Sequence, residues 1–229
     1  VARIIELAPE LVIANYEENS PRDVNKLREA GIPVWVTFPK TVQDVFNLLW
    51  NIMYLFDQTD MATRVRLIEK SYDWVNGIAL QNEETAPKVF VPIWIDPWMT
   101  FNADTYMHDL IRVCGGLNIF ADRERQFPLQ ADLGNAEPYA EDDPRIQGQD
   151  KRYPRITLDE VESRQPDIIL LPSEPFQFRK EHIEMFAGLD IPAVKNNRIH
   201  LVDGSYLSWH GTRVAYALNE IPELISSTG

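Results

Sequence analysis

The chain has 229 residues, 45% hydrophobic and 25% charged, a composition that suits one large soluble domain or two small lobes. Its 22 Lys and Arg stand against 35 Asp and Glu, and the resulting formal charge of −13 repels phosphate backbones and argues against generic nucleic-acid binding. No apolar run approaches the roughly eighteen residues that a membrane span needs, and VARIIELAPELVIA shows no signal-peptide pattern.

ARIIELA is a short helical pattern followed by Pro9, and ELVIAN is an apolar run of strand length. In SPRDVNKLREAG, Ser20 stands at the N-cap, Pro21 at the first helical position, Asp23 near the positive helix end and Gly31 at the stop. PVWVTF reads as a second buried strand, and two apolar strands joined by a helix predict a parallel crossover. Residues 41–82 contain no strand pattern. TVQDVFNLLWNIMYLF is one helix capped by Thr41, and TDMATRVRLIEKSYDWVNGIALQN is a second, with Met61, Val65, Ile68, Tyr72, Val75 and Ile78 or Ala79 at helical spacing. At 1.5 Å per residue the second helix spans roughly 30 Å, more than a crossover inside one sheet needs and suited to a strut between two lobes.

The α/β pattern restarts at residue 88 with the strand KVFVPIWI and the helix DTYMHDLIRVCGG, closed by glycine. TLDEVESRQ opens a helix with Thr157 and Glu160 in capping-box spacing, DIILLP is a buried strand, FRKEHIEMFAGL a helix and RIHLVDG a last strand. HGTRVAYALNEIPELI is a C-terminal helix. Residues 121–152 are polar and aperiodic, as lids and binding loops are. The expected fold class is α/β, two α/β lobes bridged by one long helix. The expected division is a partial N-terminal lobe over 1–56, the connecting helix over 57–84, a C-terminal lobe over 85–205 and a helix over 206–229 packing back toward the first lobe. The cleft between lobes is the default ligand site. Val1 already reads as the inside of a helix, so a leading segment is expected upstream.

Catalytic motifs are missing: no Gly-rich phosphate loop, no GxSxG elbow and no HExxH. Cys114, beside Gly115 and Gly116, reads as a small buried apolar residue. His108, His182, His200 and His210 lack short ligand spacing, so no metal site and no enzyme activity are expected. The pairs Glu17-Glu18 and Asp159-Glu160 sit at helix starts, where the helix dipole alone explains them. One stretch stands out. In IWIDPWMTF, Ile93 and Ile95 alternate with Trp94 and Asp96, Pro97 stops the ladder, and Trp98, Met99 and Phe101 follow. These residues are either core filler or the lining of a pocket for a flat apolar ligand. Trp35, Trp50 and Trp74 lie on strand or helix patterns and read as packing residues.

Four phrases, LAPELVIAN, LREAGIPVWV, VCGGLNIFAD and YPRITLDEVESRQPDIILLP, occur in this order around the long helix. Together they resemble the periplasmic substrate-binding proteins of ABC importers for metal chelates, the helical-backbone receptors for cobalamin, haem and ferric siderophores, and most of all those for cobalamin. The resemblance implies two α/β lobes on one long helix and an N-terminal lobe that begins before the segment matching Val1. It implies a ligand surface of Trp94, Trp98, Met99 and Phe101, of Tyr153 before a proline, of Tyr206 and Trp209 after the last strand, and of Asn15, Tyr16 and Glu17 in the first lobe. Arg155, Asp203 and Ser208 would orient a polar rim. Rigid aromatic rings suit a corrin or porphyrin, because they give contact area at low entropy cost. A chelated metal brings its own ligands, so no histidine cluster is needed and no cofactor is implied. The resemblance further implies docking of a monomer onto a membrane permease through Glu18, or Glu17, and Asp159, in an extracytoplasmic location. A two-lobed metal-dependent enzyme and a non-transport sensor are the rival readings.

Overall fold

The computed structural model describes residues 1–226, and the chain divides into two compact units, Val1–Pro39 and Lys40–Gly229. In the first unit, α1 (Ala2–Leu7) buries no residue. Strands β1 (Val12–Asn15) and β2 (Val34–Thr37) pair in parallel, from Val12 against Val34 to Asn15 against Thr37. Parallel neighbours need a crossover, and α2 (Pro21–Glu29) supplies it, burying Val24 and Leu27. Pro21 opens the helix as expected, while the Ser20 side chain makes no capping hydrogen bond. Gly31 follows the helix at φ +81°, a conformation that costs glycine little. The Thr37 hydroxyl ties the strands by donating to the Ala14 carbonyl at 3.1 Å.

In the second unit, α3 (Val42–Leu55) starts on a reciprocal capping box: the Thr41 hydroxyl accepts from the Asp44 amide and the Asp44 carboxylate from the Thr41 amide, each at 3.0 Å. Helix α4 (Ala62–Gln81) runs for 20 residues. It buries Val65 and lays Ile68, Tyr72 and Val75 on the core, as the spacing predicted, whereas Ile78 at the end of the stripe is 45% exposed. Then follow β3 (Lys88–Phe90), α5 (Tyr106–Val113), β4 (Leu117–Asn118), α6 (Leu158–Arg164), β5 (Ile168–Pro172), α7 (Pro192–Lys195), β6 (Ile199–Val202), α8 (Gly204–Ser208) and α9 (Val214–Ser226).

The four strands form one parallel sheet in the order β4-β3-β5-β6. Alternation along β3 and β5 sends Val89, Val91, Ile168 and Leu170 into a core shared with α3, α5 and α9. Phe90, Ile169 and Leu171 face a second core with Val161 of α6, Phe178, Phe186 and Ile191. With both faces covered, β5 has no polar alternation and is buried throughout. The α/β class with parallel sheets follows the sequence expectation. Cys114 is buried as expected.

Several elements differ from expectation. The ladder of KVFVPIWI ends at Phe90, not Ile95. Beyond it the chain folds back on itself: the Ile93 amide donates to the Met99 carbonyl at 2.8 Å and the Met99 amide to the Trp94 carbonyl at 3.2 Å. The segment 180–186 is a 3-10 helix rather than an α-helix, and the Arg179 amide at its start donates to His182 Nδ1 at 2.8 Å. Trp74 is not a packing residue, since it is 72% exposed. Strand β4 and helices α7 and α8 were not expected.

The long polar segment is anchored by Asp132, whose side chain is fully buried. Its carboxylate accepts from the Gln126 amide at 2.6 Å, the Arg155 amide at 3.1 Å and Arg123 Nη1 at 3.1 Å. Arg123 in turn reaches Glu160 at 3.1 Å. A buried carboxylate needs such a shell of donors, because an uncompensated one would cost several kcal/mol, on the order of 5.

Candidate ligand-binding edge

The strand order puts β4 on one side of β3 and β5 with β6 on the other. The winding therefore reverses between β3 and β5. At such a switch point the connections leave in opposite directions, and a crevice opens at the carboxyl ends of the strands. Three aromatic segments meet this edge, one after each of β3, β5 and β6.

After β3 comes Trp94, 44% exposed, with its ring edge-on to Phe176 at 5.6 Å and 74°. Phe176 belongs to the segment after β5 and packs against Phe178 at 4.8 Å. After β6 comes Trp209, 51% exposed, whose indole N–H donates to the Glu174 carboxylate. The segment after β5 thus supports one exposed tryptophan from each neighbouring loop. It is held down in turn by α8. The Gly204 amide donates to Ser173 Oγ at 2.9 Å, and a Cβ on Gly204 would lie 2.2 Å from the Glu174 nitrogen, so only glycine fits there. The Asp203 carboxylate caps α8 by accepting from the Ser205 amide at 2.9 Å.

Trp98 and Met99 part company. Met99 lies half-buried on the first core together with Tyr153 and Tyr206. Tyr206 also stacks on Tyr216 at 6.0 Å. Trp98 faces the second core, 5.3 Å from Phe186 and stacked at 12° on Phe178. Neighbours on an extended segment point to opposite sides, so one sheet edge cannot present both in the same direction. Phe101 has 0% exposure and sits inside the first core; its assignment to the ligand surface is corrected to packing, because every face of its ring is already filled. Arg155 is a backbone neighbour of Met99, and its Nε is buried without a partner, as is Ser208 Oγ.

In the first unit, Tyr16 is exposed and leans on Phe38 at 4.6 Å. The Asn15 side-chain carbonyl accepts from the amides of Glu17 at 2.8 Å and Glu18 at 3.3 Å and so shapes the turn after β1, where both glutamates are exposed. In the second unit, Asp159 is exposed in the first turn of α6, and Glu160 beside it is engaged by Arg123 and Arg164.

Sequence reading missed Phe176 and Glu174. The signal was present in DIILLPSEPFQF, a buried strand ending in proline and two phenylalanines, the same pattern that drew attention to IWIDPWMTF. The polar chemistry is sparse. Among the described residues no three His, Cys, Asp or Glu side chains gather as a metal site. Burial pushes the Cys114 thiol up and keeps it protonated, and burial lowers His108 despite Asp109 beside it. Among the described residues no helix is long and apolar enough to cross a membrane.

No family model matches the chain. Over 233 residues it is 23% identical to a vitamin B12-binding protein of Vibrio parahaemolyticus, covering 98% of this chain and 71% of that protein. It is 29% identical over 130 residues to the vitamin B12-binding protein of Salmonella typhimurium, covering 55% of this chain and 47% of the relative, so the match spans about half of that protein. In three dimensions it superposes on the periplasmic vitamin B12-binding protein of Vibrio cholerae with a TM-score of 0.72 at 18% identity, covering 98% of this chain and 76% of that one. It superposes on the periplasmic haem-binding protein of a Roseiflexus species with a TM-score of 0.70 at 19% identity, covering 97% and 77%. These relatives and neighbours are all named as binding proteins. The chain is thus similar in sequence to vitamin B12-binding proteins, and it shares the fold of periplasmic B12- and haem-binding proteins.

Proposed function

We propose that this chain is the substrate-binding component of an ABC importer, working outside the cytoplasm, and that it captures a corrinoid. The observation that carries the reading is the aromatic carboxyl edge at the switch point, where Trp94 and Trp209 stand exposed yet fixed by Phe176 and Glu174. A large apolar ring system lies flat on such rings without first ordering them. The B12-binding name of relatives that match along nearly the whole chain supports corrin as the cargo. Met99, Tyr153, Tyr206 and Arg155 are the further contacts of this reading. Trp98 enters it only as the ring behind the surface. The metal arrives inside the chelate as cargo and needs no ligand from the chain.

Haem is the second reading, favoured by the haem-binding protein among the structural neighbours. Titrating the protein with cobalamin, haemin and a ferric siderophore while following tryptophan emission tests both. Saturable quenching is expected with cobalamin at the lowest concentration. Stronger binding of haemin would transfer the proposal to haem, and a flat response to all three would end it. Glu18 and Asp159, exposed on separate units, are the proposed docking carboxylates for the permease, where they would contribute register and steering. Reversing both to Lys is expected to leave chelate affinity intact and to abolish uptake.

A further inference from the structure

The opposite, amino edge of the four-stranded sheet carries a cavity of about 600 Å³ that the chelate reading does not use. Trp74 and Ile78 of α4, Pro87 ahead of β3, and Pro222 and Ile225 of α9 wall it, and among the described residues Arg198, one residue before β6, is the only charged one along it. Its volume falls within the range of small-molecule sites, roughly 300 to 1,000 Å³, and an apolar wall with one convergent polar group is their usual make-up.

Two features of this wall lack an internal explanation. Trp74 leaves 72% of its surface in water, the most exposed large apolar side chain among the described residues. Arg198 has no carboxylate among the described residues within ion-pair distance, in a chain with 35 acidic residues. Its Nη2 donates to the carbonyls of Leu224 at 3.2 Å and Ile225 at 2.7 Å, and its Nε is buried with no acceptor. Carbonyls at a helix end offset about half a charge, so the guanidinium stays partly uncompensated. An anion with an apolar body would satisfy both features at once.

We propose that this cavity is a second ligand site, for a small amphiphile with one carboxylate, its chain or ring against Trp74 and Ile78 and its carboxylate beside Arg198. The site lies at the sheet edge away from Trp94 and Trp209, so it fills independently of the chelate, and the proposal does not rest on the chelate's identity.

The test uses octanoate and octan-1-ol as probes on the whole protein, read by tryptophan emission and calorimetry. Octanoate is expected to bind saturably, and octan-1-ol at least about tenfold more weakly, the equivalent of one charge-assisted contact. Ile78→Glu puts a like charge on a half-exposed wall position and is expected to weaken octanoate at least about tenfold. Arg198→Gln is expected to erase the preference for octanoate over octan-1-ol. Because that variant also loses the carbonyl contacts of α9, circular dichroism accompanies it, and Ile78→Glu decides the matter if it misfolds. Absence of saturable octanoate binding, equal binding of the two probes, or octanoate binding untouched by Ile78→Glu would each overturn the site. A cobalamin titration of Ile78→Glu is expected to match that of the unchanged protein. If cobalamin binds neither form while octanoate binds as described, the corrinoid reading falls and this one stands.

Discussion

The two edges of the second unit's sheet both expose tryptophan, and they hold it in different ways. At the carboxyl edge Trp94 rests on Phe176 and Trp209 is bonded to Glu174, so each ring is fixed by a different loop from its own. At the amino edge Trp74 projects from α4, and among the described residues no other ring packs against it. A ring already fixed loses little freedom when a ligand arrives, whereas a loosely held one loses more. The difference teaches that exposure alone does not mark a selective surface: at the carboxyl edge selectivity rests on rings fixed from a second loop, and at the amino edge it rests on Arg198 beside the ring.

The largest expected effect lies behind the carboxyl edge. Phe186 is fully buried and touches both Phe90 and Trp98, so Phe186→Ala is expected to lower stability by about 4 kcal/mol in urea denaturation. A loss below about 1 kcal/mol would mean that the second core does not brace this edge. Gly204→Ala comes next, at about 2 kcal/mol, because the added methyl forces the Glu174 backbone away. The emission of Trp209 should shift with it; an unshifted spectrum would separate the loop from the ring. Trp94→Ala should weaken corrinoid binding about thirtyfold by calorimetry, a loss of about 2 kcal/mol typical of a central aromatic anchor. By contrast, Trp74→Ala should change stability by less than about 0.5 kcal/mol and leave corrinoid affinity alone. If Trp74→Ala weakened the corrinoid as much as Trp94→Ala does, the contrast between the edges would collapse.

The smallest effect concerns acid. Hydrogen bonds from Arg145 hold the Asp143 carboxyl at about 2, against an ordinary 3.8, and a hydrogen bond from Arg164 lowers Asp122. A folded pKa below the unfolded one stabilises above the unfolded value and is lost as pH falls through the folded value. Amide protection in residues 121–152, taken relative to the intrinsic exchange rate at each pH, should therefore fall as pH drops from 3.8 toward 2, while that of the sheet holds. Equal loosening of both would assign the acid response elsewhere.

How much was legible in the sequence depended on distance along the chain. The Thr41 and Thr157 caps, Pro21, Gly31 and the stripe of α4 are written in three to seven neighbouring residues and were readable. The continuous apolar run of β5 announced burial on both faces. Strand β4 spans only two residues and depends on Gly116, where a Cβ would come within 2.7 Å of Val89, a contact made across the sheet. The fates of Trp98 and Met99 turned on where the ladder of β3 stops, and Pro92 with the fold-back at Met99 stops it early. Phe101 looked like its aromatic neighbours and is buried in the first core, where the distant Asn118 side-chain amide donates to its carbonyl at 3.0 Å. Glu174 became a partner of Trp209 only through the parallel pairing of β5 with β6. Contacts of that kind are decided by topology, and no local spacing carries them.

Asp132 has a consequence for engineering. It gathers the amides of Gln126 and Arg155, and beside it the Arg125 amide donates to the Lys151 carbonyl at 2.8 Å, so the long polar segment leaves and re-enters the body through one clasp. What lies between, around Gly134 to Gly148, can be exchanged like a cartridge without disturbing a strand. A peptide tag grafted there should leave thermal denaturation of the sheet unchanged, whereas the same graft placed after Asp132→Asn should not.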